Sequence, residues 1–154
     1  MELGAAVTVE MTATPEQVWT VVSDVTRIGE LSPETFEAEW LDGAPGPALG
    51  ATFRGHVRRN GRGPAYWTTC RVTACEPGRG FGFDVHGPGG MVLLNTWRYE
   101  IERSATGSSV TESFQLHDMT LTCLYWRLTG HRRSQANVRG ITQTLERVKA
   151  LVEA

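Results

Sequence analysis

Thr96-Trp97-Arg98-Tyr99-Glu100-Ile101 and Val110-Thr111-Glu112-Ser113-Phe114-Gln115-Leu116 carry one pattern twice. Large apolar side chains fall on every second position, and polar ones fill the gaps. Period two is the repeat of a strand, because successive Cβ atoms point to opposite faces of the pleat. A turn near Ala105 to Ser108 separates the two runs, which predicts a hairpin. Trp97, Tyr99 and Ile101 then line one strand face, and Val110, Glu112, Phe114 and Leu116 the other strand's. One carboxylate, Glu112, stands among apolar neighbours.

The same period extends toward the N-terminus. Phe81, Phe83 and Val85 form a strand face that ends at the turn Gly87-Pro88-Gly89-Gly90. A strand from about Tyr66 to Cys75 stops at Glu76-Pro77-Gly78. Phe53, Gly55 and Val57 alternate with Thr52, Arg54, His56 and Arg58. Asn60-Gly61 marks a tight hairpin turn, because both central positions want positive φ. Leu41 to Gly50 is a turn-rich connection containing Pro45 and Pro47. Before it, Phe36, Ala38 and Trp40 share one face, and Glu37 and Glu39 the other. Gly4 to Thr12, built around Val7, Val9 and Met11, reads as the first strand.

Helical spacing interrupts this order at two places. In Thr14-Pro15-Glu16-Gln17, Thr14 can cap a helix, Pro15 suits its first position, and Gln17 completes a capping box. Val18, Val21, Val22 and Val25 supply the apolar stripe of that helix. A second short helical turn runs from Thr26 to Leu31 and ends at Ser32-Pro33. At the other end, Leu121, Leu124, Tyr125 and Leu128 are spaced as on a helix, with a break near Gly130. A final helix from about His131 to Val152 places Val138, Ile141, Leu145, Val148 and Val152 on one face. At 1.5 Å per residue it would be about 33 Å long. The order is one strand, two short helices, six strands and a long helix. Uninterrupted hairpins exclude a parallel sheet and predict an α+β fold.

The chain has 154 residues, 40% apolar and 21% charged, with 17 glycines and a net charge of −2. These values suit one domain spanning residues 1–154 and give no global field toward nucleic acid or anionic membrane. Arg58, Arg59 and Arg62 around the Asn60-Gly61 turn, and Arg132 and Arg133, read more readily as solvated charge than as a nucleic-acid surface. No run approaches the roughly 18 apolar residues of a membrane-spanning helix, and no secretory signal is visible. Cys70, Cys75 and Cys123 are odd in number and lack CxxC spacing, as expected of reduced cytoplasmic thiols. His56, His86, His117 and His131 lack metal-ligand spacing, so neither a metal nor another cofactor is expected. His56 falls on the outer face, where solvent is its expected surrounding. No nucleophile elbow or phosphate loop occurs.

Several stretches resemble a known superfamily. They are Thr14-Pro15-Glu16-Gln17-Val18-Trp19, Gly29-Glu30-Leu31-Ser32-Pro33-Glu34 and Trp40-Leu41-Asp42-Gly43, then Gly50-Ala51-Thr52-Phe53-Arg54-Gly55 and Cys70-Arg71-Val72-Thr73. Glu76-Pro77-Gly78 and Thr144-Leu145-Glu146-Arg147-Val148-Lys149 complete the set. Together they resemble the START/Bet v 1-like (SRPBCC) superfamily, most closely its bacterial polyketide cyclase/dehydrase-like members. The resemblance implies a helix-grip fold, a curved seven-stranded antiparallel sheet wrapped around a long C-terminal helix. It also implies a cavity between sheet and helix for lipids, polyketides or other hydrophobic molecules. Relatives often carry Asn where this chain has Val57, which implies a drier pocket here.

The expected ligand-binding set is Trp40, Phe53, Val57, Phe81, Phe83, Trp97, Tyr99, Glu112 and Phe114 from the strands, with Val138, Ile141 and Leu145 from the last helix. Plain core packing is the alternative for each aromatic member. Glu112 and Tyr99 are the candidate catalytic pair. A carboxylate on an apolar face is costly unless paired, and burial would raise its pKa. An ion pair with an inward Arg, or a bulge turning Glu112 outward, is the alternative. Three functions remain open: a non-catalytic or carrier pocket for a hydrophobic small molecule, a polyketide cyclase or aromatase/dehydratase, and a protein-partner module without ligand. In the first, the short second helix and Gly87–Gly90 would gate entry. The Leu121–Leu128 segment could be a lid or simply packed. Monomer and dimer are both open.

Overall fold

The structure is a computed structural model that describes residues 4–58, 63–87, 92–117 and 138–154. Its strands are β1 (Gly4–Met11), β2 (Thr35–Trp40), β3 (Thr52–Val57), β4 (Tyr66–Glu76), β5 (Gly80–His86), β6 (Leu93–Ser104) and β7 (Gly107–Leu116). They form one antiparallel sheet in the order β1-β7-β6-β5-β4-β3-β2. Six strands are thus a simple meander, and the first lies beside the last. Between β1 and β2 come α1 (Pro15–Val22), a 3₁₀ turn (Val25–Arg27) and α2 (Ile28–Leu31). The expected second helix is therefore split in two. The final helix, α3, is described over residues 138–152. This is the α+β helix-grip architecture that the resemblance implied.

The paired runs on β6 and β7 match without a break, with Trp97 opposite Phe114, Tyr99 opposite Glu112 and Ile101 opposite Val110. The β1–β7 ladder is equally regular. The irregularities lie in the other half of the sheet, at Thr35/Glu37, Val72/Ala74 and Val85/His86. Bulges bend and twist a strand locally. Here they curl that half of the sheet. The bulge in β2 also corrects the expected face of Phe36. Ala38 and Trp40 pack inward as expected, but Phe36 is 44% exposed and its ring centroid lies 4.4 Å from that of His56. His56 is on the outer face yet is not simply solvated. It stacks on Trp67 at 4.1 Å and its Nδ1 pairs with Glu37 Oε1 at 2.7 Å.

Thr14 caps α1 as its sequence predicts. The Gln17 amide donates to Thr14 Oγ1 at 3.2 Å, and the Thr14 amide donates to Gln17 Oε1 at 2.9 Å. The Trp19 indole donates to the Gly80 carbonyl at 2.8 Å and anchors this helix on β5. α2 lies so close to β2 that a Cβ on Gly29 would come within 2.2 Å of the Phe36 carbonyl oxygen. Only glycine permits that approach. Arg147 of α3 donates to the Leu31 carbonyl at 3.2 Å and ties the two helices together.

The core has two halves. One joins Met11, Val18, Val22, Leu31, Ile101 and Val110 with Ile141, Leu145 and Val148 of α3. The other joins Val25 with Phe53, Val72, Phe81, Phe83 and Val85 of the curled strands. Trp19 and Trp97 pack against both. Each fully buried side chain of this kind contributes about 1.5–3 kcal/mol relative to exposure. Several sequence expectations fall outside the described residues: the Asn60-Gly61 turn with Arg59 and Arg62, Pro88 to Gly90, Leu121–Leu128 with Cys123, and the start of the last helix with His131, Arg132 and Arg133.

Candidate functional site

A cavity of about 380 Å³ opens where the two halves of the core diverge. Its size lies within the roughly 300–1,000 Å³ range of small-molecule sites. The sheet supplies the concave wall, with Phe53, Gly55 and Val57 on β3 and Tyr66, Thr68 and Cys70 on β4. Phe83 and Val85 of β5 continue it to Leu94, Asn95, Trp97 and Tyr99 of β6. Glu112, Phe114 and Leu116 of β7 close that side. Opposite them stand Val25, Ile28 and Leu31, the Ser32–Glu34 connection with Thr35 at the start of β2, and Gly140 and Thr144 of α3. Gly55 keeps the wall open, since a Cβ there would press on Thr35 Cγ2 at 3.3 Å.

Most of this lining is apolar, which makes its polar groups informative. Glu112 is only 3% exposed. Its strand register is unbroken, so no bulge turns it outward. Among the described residues no arginine pairs with it; its neighbour is Tyr99, directly across the ladder. Burial pushes the carboxyl pKa up to about 8, and a hydrogen bond with Tyr99 pulls partly back. Near neutral pH the group is mostly protonated. Burial and then the adjacent Glu112 hold the Tyr99 phenol well above its ordinary value of 10, so it keeps its proton. The pair therefore presents hydrogen-bonding groups with little net charge, and Glu112 can gain or lose a proton near neutrality.

Two buried side-chain oxygens have no hydrogen-bond partner among the described residues, Glu112 Oε2 and Asn95 Oδ1. Both residues are on the cavity wall. Thr68 is satisfied locally through the Gly55 carbonyl at 3.4 Å, and Thr144 through the Gly140 carbonyl at 2.9 Å. Cys70 is an inert wall group, because burial pushes its thiol up to about 12. Among the described residues no three His, Cys, Asp or Glu side chains are grouped to hold a metal ion. Nor is any helix there long and apolar enough to cross a membrane.

Of the residues expected at the site, Phe53, Val57, Phe83, Trp97, Tyr99, Glu112 and Phe114 line the cavity. Trp40, Phe81, Val138, Ile141 and Leu145 do not. Trp40 lies behind Phe53, edge-on at 5.6 Å, and Phe81 is sealed in the second half-core. Ile141 and Leu145 are committed to packing against the first half-core, whereas Val138 is 40% exposed. The helix meets the cavity with the flank of its apolar stripe, at Gly140 and Thr144. Asn95 escaped sequence reading, although it shares the phase of Trp97 and Tyr99. One more step of alternation at the start of β6 would have found it.

Proteins of known structure resemble this chain in fold and, in part, in sequence. The Polyketide_cyc-like protein Cgl2372 from Corynebacterium glutamicum is 29% identical, with a TM-score of 0.66 over 99% of this chain and 93% of that one. The di-domain ARO/CYC StfQ of the steffimycin biosynthetic pathway is 13% identical, with a TM-score of 0.70 over 98% of this chain and 50% of that protein. Ara h 8.0201 is also 13% identical, with a TM-score of 0.63 over 97% of this chain and 96% of that one. The latter two likenesses show a shared fold. Among curated proteins none matches the sequence. The family model described as polyketide cyclase / dehydrase and lipid transport matches residues 4–153, and the chain belongs to that family.

Proposed function

We propose that the protein binds a hydrophobic small molecule, a lipid, polyketide or similar metabolite, in the cavity between the sheet and α3. The observation that carries this reading is a cavity of about 380 Å³ whose wall is mostly apolar yet includes two buried oxygens without a hydrogen-bond partner among the described residues. A closed core has no use for such groups, because an unsatisfied buried polar atom costs about 1–3 kcal/mol. A ligand offering complementary groups recovers that cost, and its apolar surface adds about 25 cal/mol for each Å² buried. Among the described residues the ionisable wall groups are carboxyls, phenols and a thiol, with no basic group: Asp24, Glu34, Tyr66, Cys70, Tyr99 and Glu112. That chemistry favours a neutral ligand over a carboxylate or phosphate. α2 contributes Ile28 and Leu31 to the apolar part of that wall.

Native mass spectrometry of the freshly purified protein, followed by organic extraction, tests the reading. A stoichiometric apolar adduct supports it. Failure of every neutral apolar probe to bind at micromolar concentration overturns it and leaves the partner-module reading.

A second reading, a cyclase or dehydratase, has one observation in its favour. Glu112, whose pKa is raised to about 8, faces the protonated Tyr99. A carboxyl poised near neutrality can take an α-proton or protonate a leaving hydroxyl. One carboxyl and one phenol are few groups for ring closure followed by loss of water, so binding stands first. Turnover of a poly-β-keto thioester mimic that is lost in Glu112→Gln would reverse that order.

A further inference from the structure

We infer that the cavity selects an elongated apolar ligand with an oxygen function at each end, a hydroxyl held by Asn95 and a carbonyl or second hydroxyl held by Glu112. The inference rests on the reading of the cavity as a ligand site. It follows from where Asn95 Oδ1 and Glu112 Oε2 stand, the two buried oxygens without a partner among the described residues. Asn95 and Tyr99 are both on β6, and Tyr99 is directly opposite Glu112 on β7. Four residues of strand separate the two levels, about 13 Å at 3.3–3.4 Å per residue. Both side chains face the concave side, so their tips converge to somewhat less than this. Between them, on the same two strands, lie Trp97 and Phe114, whose ring centroids are 4.8 Å apart. The wall is thus polar at one level, aromatic for two residues, and polar again.

The two ends differ in chemistry. Asn95 Oδ1 accepts, so its partner must donate; a hydroxyl does so and serves either orientation of the amide. At the other end Tyr99, directly opposite on the ladder, hydrogen-bonds the Glu112 carboxyl, and Oε2 has no partner among the described residues. Protonated, that oxygen donates to a ligand carbonyl or hydroxyl. A monofunctional hydrocarbon chain of equal length fills the same volume but leaves one oxygen orphaned. The cavity therefore reads both the polarity and the length of its ligand.

Nile red, a neutral apolar dye, reports occupancy by its fluorescence, and straight-chain compounds are then used to displace it. The series pairs hydroxy-ketones, with the two oxygens at opposite chain ends, against the matching simple ketones and alcohols. When the oxygens reach a separation of about 10–13 Å, the hydroxy-ketone should bind about tenfold more tightly than either monofunctional partner. Shorter hydroxy-ketones should show no such gain. Asn95→Leu should erase the advantage due to the hydroxyl, and Glu112→Leu the advantage due to the ketone. Because the length series is run on the parent protein, the test does not depend on either variant folding. Dye binding with no gain at any length overturns the two-ended ligand and leaves the cavity reading standing. Absence of binding by the dye and by every chain overturns both.

Discussion

Replacing Glu112 with glutamine should stabilise the protein by an amount that grows with pH. The variant keeps the shape of the side chain and loses its titration. In the folded protein burial lifts the carboxyl from a pKa of 4.5 to about 8. The folded state therefore holds this proton more tightly than the unfolded chain does. Below the unfolded value of 4.5 both states are protonated and the contribution to stability is fully present. As pH rises toward 8 the unfolded chain ionises first, and stability is lost at about 1.4 kcal/mol per pH unit. By neutral pH the loss is on the order of 3 kcal/mol, a large part of the roughly 5–15 kcal/mol that stabilises a typical protein. Glutamine is exempt from it. The difference between variant and parent should be smallest below the unfolded pKa, climb through neutrality and level off above the folded one. Urea unfolding followed by tryptophan fluorescence, in steps of about one pH unit, measures that difference. Groups shared by both proteins cancel. Tyr99 and Cys70, pushed up by burial, stay protonated throughout. A difference flat to within about 0.5 kcal/mol would mean that Glu112 ionises as freely as an exposed carboxylate, and the buried-acid argument would fall. Tyr99→Phe supplies a check, since losing the hydrogen bond that lowers the Glu112 pKa should move the transition to higher pH.

Gly29→Ala should cost about 1–3 kcal/mol in thermal or urea unfolding, because its Cβ meets the backbone oxygen of Phe36 and α2 must shift. An unchanged melting temperature would show that α2 is free to move off β2. Phe53→Ala should cost about 3 kcal/mol, at the low end for a buried aromatic, because Phe53 packs on Trp40 and Phe83 but borders space already open. A loss under about 1 kcal/mol would argue that the curled strands carry little of the core's stability. In peptide mapping after brief alkylation of the native protein, Cys75 should be modified well before Cys70, which is buried and whose pKa is about 12. Equal rates would mean that the wall at Cys70 opens on the labelling timescale.

The alternation on β6 and β7 was legible to the level of single residues, because period two with one buried face leaves a register little freedom. Glu112 stood out by the same logic, and Tyr99 followed as a same-face neighbour. Position along a face was less visible. Phe81 and Phe83 share a phase, yet Trp19 and Val25 help seal the half-core that holds Phe81, while Phe83 reaches the cavity. Nothing local to β5 distinguishes them; α1 and the 3₁₀ turn do. Helical periodicity likewise found the stripe through Ile141 and Leu145, but a stripe marks what is most buried. The cavity touches the helix beside it, at Gly140 and Thr144. Phe36 shows the third limit. A bulge adds one residue, and every alternation before it changes face. Motifs carried the fold because most of them are caps, turns and close approaches, such as the Thr14 box and Gly29, whose geometry is local.

The cavity also has a consequence in volume. Converted to a molar quantity, about 380 Å³ is on the order of 230 mL/mol, whereas unfolding commonly changes volume by about 20–100 mL/mol. Only part of the cavity volume appears in that change, but whatever part ligand does not fill disappears when the chain unfolds. Hydrostatic pressure favours the smaller state, so it should unfold this protein readily and do so less when a ligand occupies the site. The pressure at the unfolding midpoint would then act as a gauge of how completely a given molecule fills the space between the sheet and its helix.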